Sequence, residues 1–263
     1  MYDLAVFAAL DFERRAVIDG LRSVAPAGRP RTWRGYTADG ASCLVVQTGI
    51  GPIRARSAAE AAPPAGAYLM CGCAGALAPS LAPGDLVVAD RVDPLDGEGS
   101  PLVGLPAETE PLVAWASARG FSLHVGPVAS SSSVLTSASA KTSAARAGAL
   151  VVEMESSAVA AVAHARRIPF IGIRVVLDVA GQSVPAALLR AGGIVDEASG
   201  RLRPARAVAR LAPRPWLWRH CARLARQQRL ADRELRALLA ALFGEGGSGG
   251  LGVASAVRRA ATS

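Results

Sequence analysis

With 263 residues, 51% of them hydrophobic, and a mean hydropathy of +0.29, the chain is long enough for one sizeable core or for one domain with an appendage. No apolar run approaches the roughly 18 to 20 residues that span a bilayer, and the opening MYDLAVFAALDFERR carries acids where a signal peptide needs a basic leader, so the cytoplasm is the expected location. The net charge of +8 is almost all arginine, with Lys141 the single lysine, and such a compositional bias is weak evidence for a nucleic-acid partner; no helix-turn-helix or RNA-binding motif accompanies it.

The apolar run at 4–10 predicts a first buried strand, with Asp11 and Glu13 at the turn into a helix reaching about Val24. A Pro/Arg loop, a strand at 34–37 and another at 43–47 follow. Residues 48–54, TGIGPIR, form a Gly-rich turn into a helix ending near Ala62, and free backbone N–H groups at such a turn can cradle an anion or a sugar hydroxyl. Residues 67–71 read as a buried strand, and Gly72, Ala74 and Gly75 after it leave room for a planar ligand to approach the backbone.

A strand at 86–89, a loop over 93–111, a helix at 112–119 and a strand at 123–129 come next. The small polar stretch 130–143 reads as a loop and helix start, in which the lone Lys141 is expected to be solvated. Residues 150–181 then read as strand, helix and strand, both strands apolar enough for burial on two faces of a parallel or mixed sheet. Glu153 and Glu155 follow the first strand and Asp178 ends the second. Ligands collect at the carboxyl ends of strands in α/β sheets, so these acids are candidates for one crevice; the competing reading is that Glu155 caps the next helix and Asp178 starts a turn.

Pro185, Gly192 and Gly193 break regularity over 182–199. Residues 204–243 read as a basic amphipathic helix preceded by Trp216 and Trp218, suited to an anionic membrane surface, to a partner helix, or to packing on the domain with its arginines solvated. The Gly/Ser/Ala-rich 244–263 is expected to be a disordered tail. Cys43, Cys71, Cys73 and Cys221 follow no disulfide or metal-ligand spacing, and the three histidines are scattered, so neither a metal site nor a His-based triad is expected.

Four stretches, AVFAALDFE, VVQTGIGPIRA, CGCAGALAPSLAPGDLVVAD and VVEMESSAVAAVAHARRIPFIGIRVVLDVA, resemble in order those of the purine nucleoside phosphorylase and uridine phosphorylase superfamily, especially its methylthioadenosine/S-adenosylhomocysteine nucleosidase branch. The resemblance covers residues 3–181 and implies a three-layer α/β/α fold with a central mixed, mostly parallel sheet. With the C-terminal helix it implies a domain over 1–200, a helical extension over 204–243 and the tail. Within the superfamily the stretch 130–141, the string VPAALLRAGG and the helix RPWLWRHCARLAR resemble hopanoid-associated phosphorylases or nucleosidases, which implies adenosylhopane as the source of adenine.

By the same resemblance Asp178 donates a proton toward N7 of adenine, Glu155 accepts hydrogen bonds from the ribose, Met154 packs on the sugar, and Glu13 orients or deprotonates the attacking water. Cys73, Ala74, Gly75, Val134 and Leu135 line the base pocket. No cofactor is implied, only phosphate as co-substrate should the enzyme be a phosphorylase; the implied partner is a small purine nucleoside or lipid nucleoside, and the implied assembly a homo-oligomer. Three departures stand out: Leu177 where the family usually has Ser before the Asp, Cys73 in place of a Ser, and a shorter loop over 92–106. Glu13 and the absence of a phosphate-holding arginine in CGCAG favour water, with Arg54 and Arg174 as further anion contacts to weigh against structural roles. A housekeeping nucleosidase and, because of Leu177, a degenerate nucleoside-binding protein remain the alternatives.

Overall fold

A computed structural model describes residues 1–95, 102–103, 106–146, 148–183, 196, 198, 201 and 203–244 of the chain. The sheet consists of β1 (Tyr2–Ala8), β2 (Arg22–Pro26), β3 (Thr32–Tyr36), β4 (Ser42–Gln47), β5 (Ala65–Ala76), β6 (Leu86–Pro94), β7 (Leu102–Val103), β8 (Leu123–Ser130), β9 (Val151–Glu153) and β10 (Phe170–Asp178). The helices are α1 (Asp11–Asp19), α2 (Pro52–Ala61), α3 (Pro106–Ser117), α4 (Ala138–Ala145), α5 (Ser156–Ala165), α6 (Pro204–Leu211) and α7 (Pro215–Gly244).

Strands run in the order β10-β6-β8-β9-β5-β1-β4-β3-β2, with β7 on the edge of β6 and a further pairing between β10 and β5. That last pairing curls one half of the mixed sheet back on itself, while β1, β4, β3 and β2 extend it beyond β5. The neighbours β4, β1, β5 and β10 are all parallel. Alternation along β1 divides the core: Leu4, Val6 and Ala8 join α1, α3 and α7 on one side, and Ala5 and Phe7 join α2 and α5 on the other.

The strand-helix-strand unit of β9, α5 and β10 forms, but its strands are not neighbours. Both pair with the end of β5, β9 antiparallel and β10 parallel, so that Gly75 stands opposite Val152 on one side and Asp178 on the other. The register of β10 slips between Val176 and Asp178, leaving Leu177 as a bulge that re-aims the strand end. β5 is also longer than its apolar run: Gly72, Cys73, Ala74 and Gly75 lie within the strand, where pairing with β10 along all four residues, and with β9 at Gly75, compensates for weak local propensity.

Other expectations need correction. The first helix stops at Asp19 and does not reach Val24, because 22–26 pairs with β3 and Gly20 packs under α7, where a Cβ would sit 3.1 Å from the Leu239 carbonyl oxygen. The helix predicted at 112–119 starts earlier, at Pro106. The basic stretch 204–243 is two helices, broken around Pro213 and Pro215, and the tryptophans lie inside α7, not ahead of it. The loop at 96–100, the string VPAALLRAGG and the tail after Gly244 fall outside the described residues.

α7 joins two different environments. Its last turns bury Ala231, Leu235, Leu238, Leu239, Leu242 and Phe243 against α1 and the sheet. Its first turns bury Leu217 alone, and Trp216 and Trp218 are more than half exposed. The end of α7 is thus core, whereas its start is surface. Leu239→Ala removes a side chain with no exposed area, so it is expected to lower the unfolding free energy by about 2–5 kcal/mol, measured by urea denaturation.

Candidate active site

The carboxyl ends of β5, β9 and β10 open into a cavity of about 230 Å3. Its walls include Glu13, Cys73, Ala74, Gly75, Val134, Leu135, Met154, Glu155 and Asp178, together with Leu10, Ile50, Lys141, Glu153 and Leu177. Every residue that the sequence singled out for the site therefore lines one space, although the acids come from α1, the start of α5 and the end of β10. The larger surface groove beside α2, about 560 Å3, holds Arg29, Arg31 and Arg54 but no carboxylate.

Glu13 is the third residue of α1, where a carboxylate can reach back to cap its own helix. Its Oε2 accepts from the amides of Ala9 (3.0 Å) and Leu10 (2.9 Å), and its Oε1 accepts from the Cys73 amide (2.8 Å). Burial still raises its pKa, against the lowering effect of those amides and of Arg174. Gly72 makes room for this arrangement: a Cβ there would stand 2.7 Å from Glu13 Oε1 and 2.9 Å from Arg174 Nη1. The Cys73 thiol is pushed well above its ordinary value by burial and then by the Glu13 charge, so it stays neutral and is no nucleophile.

The cap of α5 is Glu153, not Glu155. Glu153 Oε2 accepts from the amides of Glu155 (2.9 Å) and Ser156 (2.8 Å) and from the Arg174 guanidinium. Arg174, fully buried, also donates to Ser156 Oγ at 2.6 Å. Glu153 Oε1 has no partner among the described residues. Relieved of capping, Glu155 turns to the cavity, and its Oε1 accepts from the Gly51 amide at 2.8 Å. The Gly-rich turn thus does bind a carboxylate, one supplied by the chain itself. Burial, and then the nearby Glu153 charge, push Glu155 up to about 8.

At the opposite end, Asp178 Oδ2 is ion-paired with the Lys141 ammonium, which also donates to the Val179 carbonyl at 3.1 Å. Lys141 is buried, contrary to the solvated position expected of it, because Ser137 caps α4 and turns the next helical turn inward. Burial raises the Asp178 pKa, and the hydrogen bond and charge of Lys141 work against that rise. Of the two arginines considered as anion contacts, Arg174 is committed to Glu153 and Ser156 beneath the cavity floor, and Arg54 lines the groove on the other side of α2.

Sequence reasoning passed over Lys141 as a site residue and gave Glu153 no role. The available signals were the uniqueness of the lysine and the two-residue spacing of Glu153 from Glu155 at a strand end.

Comparison with known proteins agrees with this architecture. Residues 3–203 match the family model of the phosphorylase superfamily, and the chain belongs to that family. Among solved structures it is similar to a methylthioadenosine/S-adenosylhomocysteine nucleosidase from Neisseria meningitidis in complex with methylthio-immucillin-A (18% identity, 90% of this chain and 96% of that one, TM-score 0.67). It is similar also to an S-adenosylhomocysteine nucleosidase from Streptococcus pyogenes (24%, 68% and 84%, TM-score 0.61) and to a mutant futalosine hydrolase from Helicobacter pylori (19%, 67% and 89%, TM-score 0.60). These likenesses establish the shared fold. A search of curated proteins by sequence gave no match.

The raised Glu155 has a consequence for stability. A carboxyl group whose folded-state pKa exceeds its unfolded value stabilises the fold fully below the unfolded pKa, and that contribution is lost as pH rises from about 4.5 through about 8. Glu155→Gln is therefore expected to flatten the stability of the fold between pH 5 and 8 relative to the parent, by up to about 1.4 kcal/mol per pH unit, in paired denaturation curves.

Proposed function

We propose that the chain hydrolyses the N-glycosidic bond of a 5′-substituted adenosine and releases adenine. The observation that carries this reading is the convergence of Glu13, Glu155 and Asp178 on one largely apolar cavity. Breaking a purine glycosidic bond leaves an oxocarbenium-like sugar and an anionic base, so it calls for an acid on the base and negative charge near the sugar.

In this reading Asp178 protonates N7 as the C1′–N9 electron pair withdraws into the purine. Glu155 holds the ribose hydroxyls, Met154 covers the sugar, and Glu13 accepts a proton from the attacking water. The walls formed by Cys73, Ala74, Gly75, Val134 and Leu135 receive the flat base. Water is favoured over phosphate because Glu13 lines the cavity as a proton acceptor for it, while the nearby Arg174 is committed to Glu153 and Lys141 to Asp178. Leu177 removes a hydroxyl that could orient Asp178, while Lys141 holds that carboxylate from the other side.

A large apolar 5′ substituent, as in adenosylhopane, is supported by Leu10, Ile50 and Leu135 around the cavity and by Val134, 46% exposed. Peripheral contact with an anionic membrane is supported by Trp216 and Trp218 on a stretch, 201–230, that holds nine arginines and no acid. A methylthioadenosine/S-adenosylhomocysteine nucleosidase, the second reading, is favoured by the fold shared with such enzymes and needs no membrane.

Incubating the full chain with adenosylhopane, methylthioadenosine and S-adenosylhomocysteine, with and without phosphate, is expected to release adenine without any need for phosphate. Asp178→Asn should lower kcat by about 10²-fold or more. Absence of base release from every purine nucleoside tried overturns the enzymatic reading. Anionic phosphatidylglycerol vesicles should sediment the protein at low salt, and Trp216→Ala with Trp218→Ala should weaken that binding; no sedimentation removes the membrane contact.

A further inference from the structure

The chain has 29 basic residues and a single lysine, and that lysine is buried in the cavity wall against Asp178. Arginine and lysine differ here in one respect that matters: a guanidinium keeps its proton under all ordinary conditions, whereas an amine can release one. Arginine would serve for charge alone, as it does elsewhere in this protein. Among the described residues that line the cavity, Lys141 is the one cation, and the other charged groups are Glu13, Glu153, Glu155 and Asp178. An ammonium bound to Asp178 Oδ2 favours the ionised carboxylate against the effect of burial, and an ionised Asp178 has no proton of its own to give.

From the proposed nucleosidase reading, on which this inference rests, we propose that the acid for the leaving base is the Lys141–Asp178 pair, with Lys141 as a positioning residue and proton reservoir acting through the Asp178 carboxylate. The C1′–N9 bond breaks and its electron pair passes into the purine. A proton leaves the Lys141 ammonium for the Asp178 carboxylate, and Asp178 delivers a proton to N7. Water bonds to C1′ and gives up a proton to Glu13, adenine departs neutral, the pair is left as amine and carboxylate, and exchange with solvent moves the proton from Glu13 back to the pair.

The surroundings fit a reservoir. Burial opposes the ionised form of Asp178, and Lys141 is the group that counters it. Lys141 Nζ is tied to Asp178 and to the Val179 carbonyl, which fixes it at the end of β10. Gly75 keeps the cavity side open: a Cβ at that position would come within 3.1 Å of Asp178 Oδ1 and 3.4 Å of Lys141 Nζ. The cavity brings further groups beside the pair: Cys73 on β5, which feels the Asp178 charge and stays protonated, Glu13 on α1, and Glu153 and Glu155 around β9, of which Glu153 is matched by Arg174.

Two substitutions separate a reservoir from a plain counter-ion. In Lys141→Met the acid becomes a lone buried Asp178, which must be neutral to act, so activity survives at low pH and the alkaline limb of the kcat/KM profile moves toward acid. In Lys141→Arg the charge and the hold on Asp178 persist but no proton can leave, so kcat should fall by about 10²-fold or more across the pH range with KM within a few-fold of the parent. Base release from the nucleoside accepted by the parent, followed from pH 5 to 10 for all three proteins, reads both effects. Lys141→Arg with parental kcat, or Lys141→Met with the parental profile, overturns the reservoir. If Lys141→Met fails to fold, the kcat of Lys141→Arg decides by itself. A parent that releases no base from any nucleoside defeats the nucleosidase reading instead, a distinct outcome.

Discussion

The buried pair of Arg174 and Glu153 is the contact on which the site depends. Three glutamates in one small cavity could not stay in place without a fixed positive charge, because each loses hydration and repels the others. Arg174 supplies that charge from within β10, and pairing with Glu153 makes the caged guanidinium tolerable in turn. Burial disfavours the Arg174 charge, and the carboxylates of Glu153, Glu155 and Glu13 more than offset it. The same contact sets local structure: Glu153 holds the first amides of α5, which frees Glu155 for the cavity. Such pairs seldom add much net stability, since desolvation consumes most of the attraction, but losing one partner leaves an uncompensated charge inside.

From that anchor the cavity divides by charge. Glu13, Glu153 and Glu155 gather around Arg174, and Asp178 is paired separately with Lys141. This polarity matches a reaction in which positive charge grows on a sugar ring while negative charge grows on a base. Burial of Glu13, Glu155 and Asp178 among the apolar walls of the cavity makes each of the interactions stronger than it would be in solvent. Backbone amides fix the carboxylates with little freedom: those of Ala9, Leu10 and Cys73 hold Glu13, and that of Gly51 holds Glu155.

α7 shows how one element serves two purposes. Its end completes the apolar layer behind β5 and β10, within reach of the bulged Leu177, and its start carries arginines and tryptophans into solvent. Gln227 in the middle exchanges two hydrogen bonds with Gln182, four residues beyond Asp178, so the surface arm is tied to the loop that follows the site.

Much of this was readable from the chain itself. Apolar runs such as 4–10 and 168–177 announce doubly buried strands because little that is polar interrupts them, Arg174 alone in the second, and carboxylates beyond their ends stand out against that background. Local pattern also marked the turn at 48–54 and the small residues after Cys71. Pairing was not readable: that β9 and β10 both meet β5 and never each other depends on contacts between distant segments, which carry no local signature. β2 went unseen for the same reason, as its residues gain their extended form from β3 and from the α7 turn packed on Gly20. Sequence by itself determined which side chains could do acid and base chemistry and which segments would be buried. The tertiary structure decided which glutamate caps a helix and which faces the cavity, and it turned a solitary lysine inward onto Asp178, because a charge's role is set by what surrounds it in space and not by its neighbours along the chain.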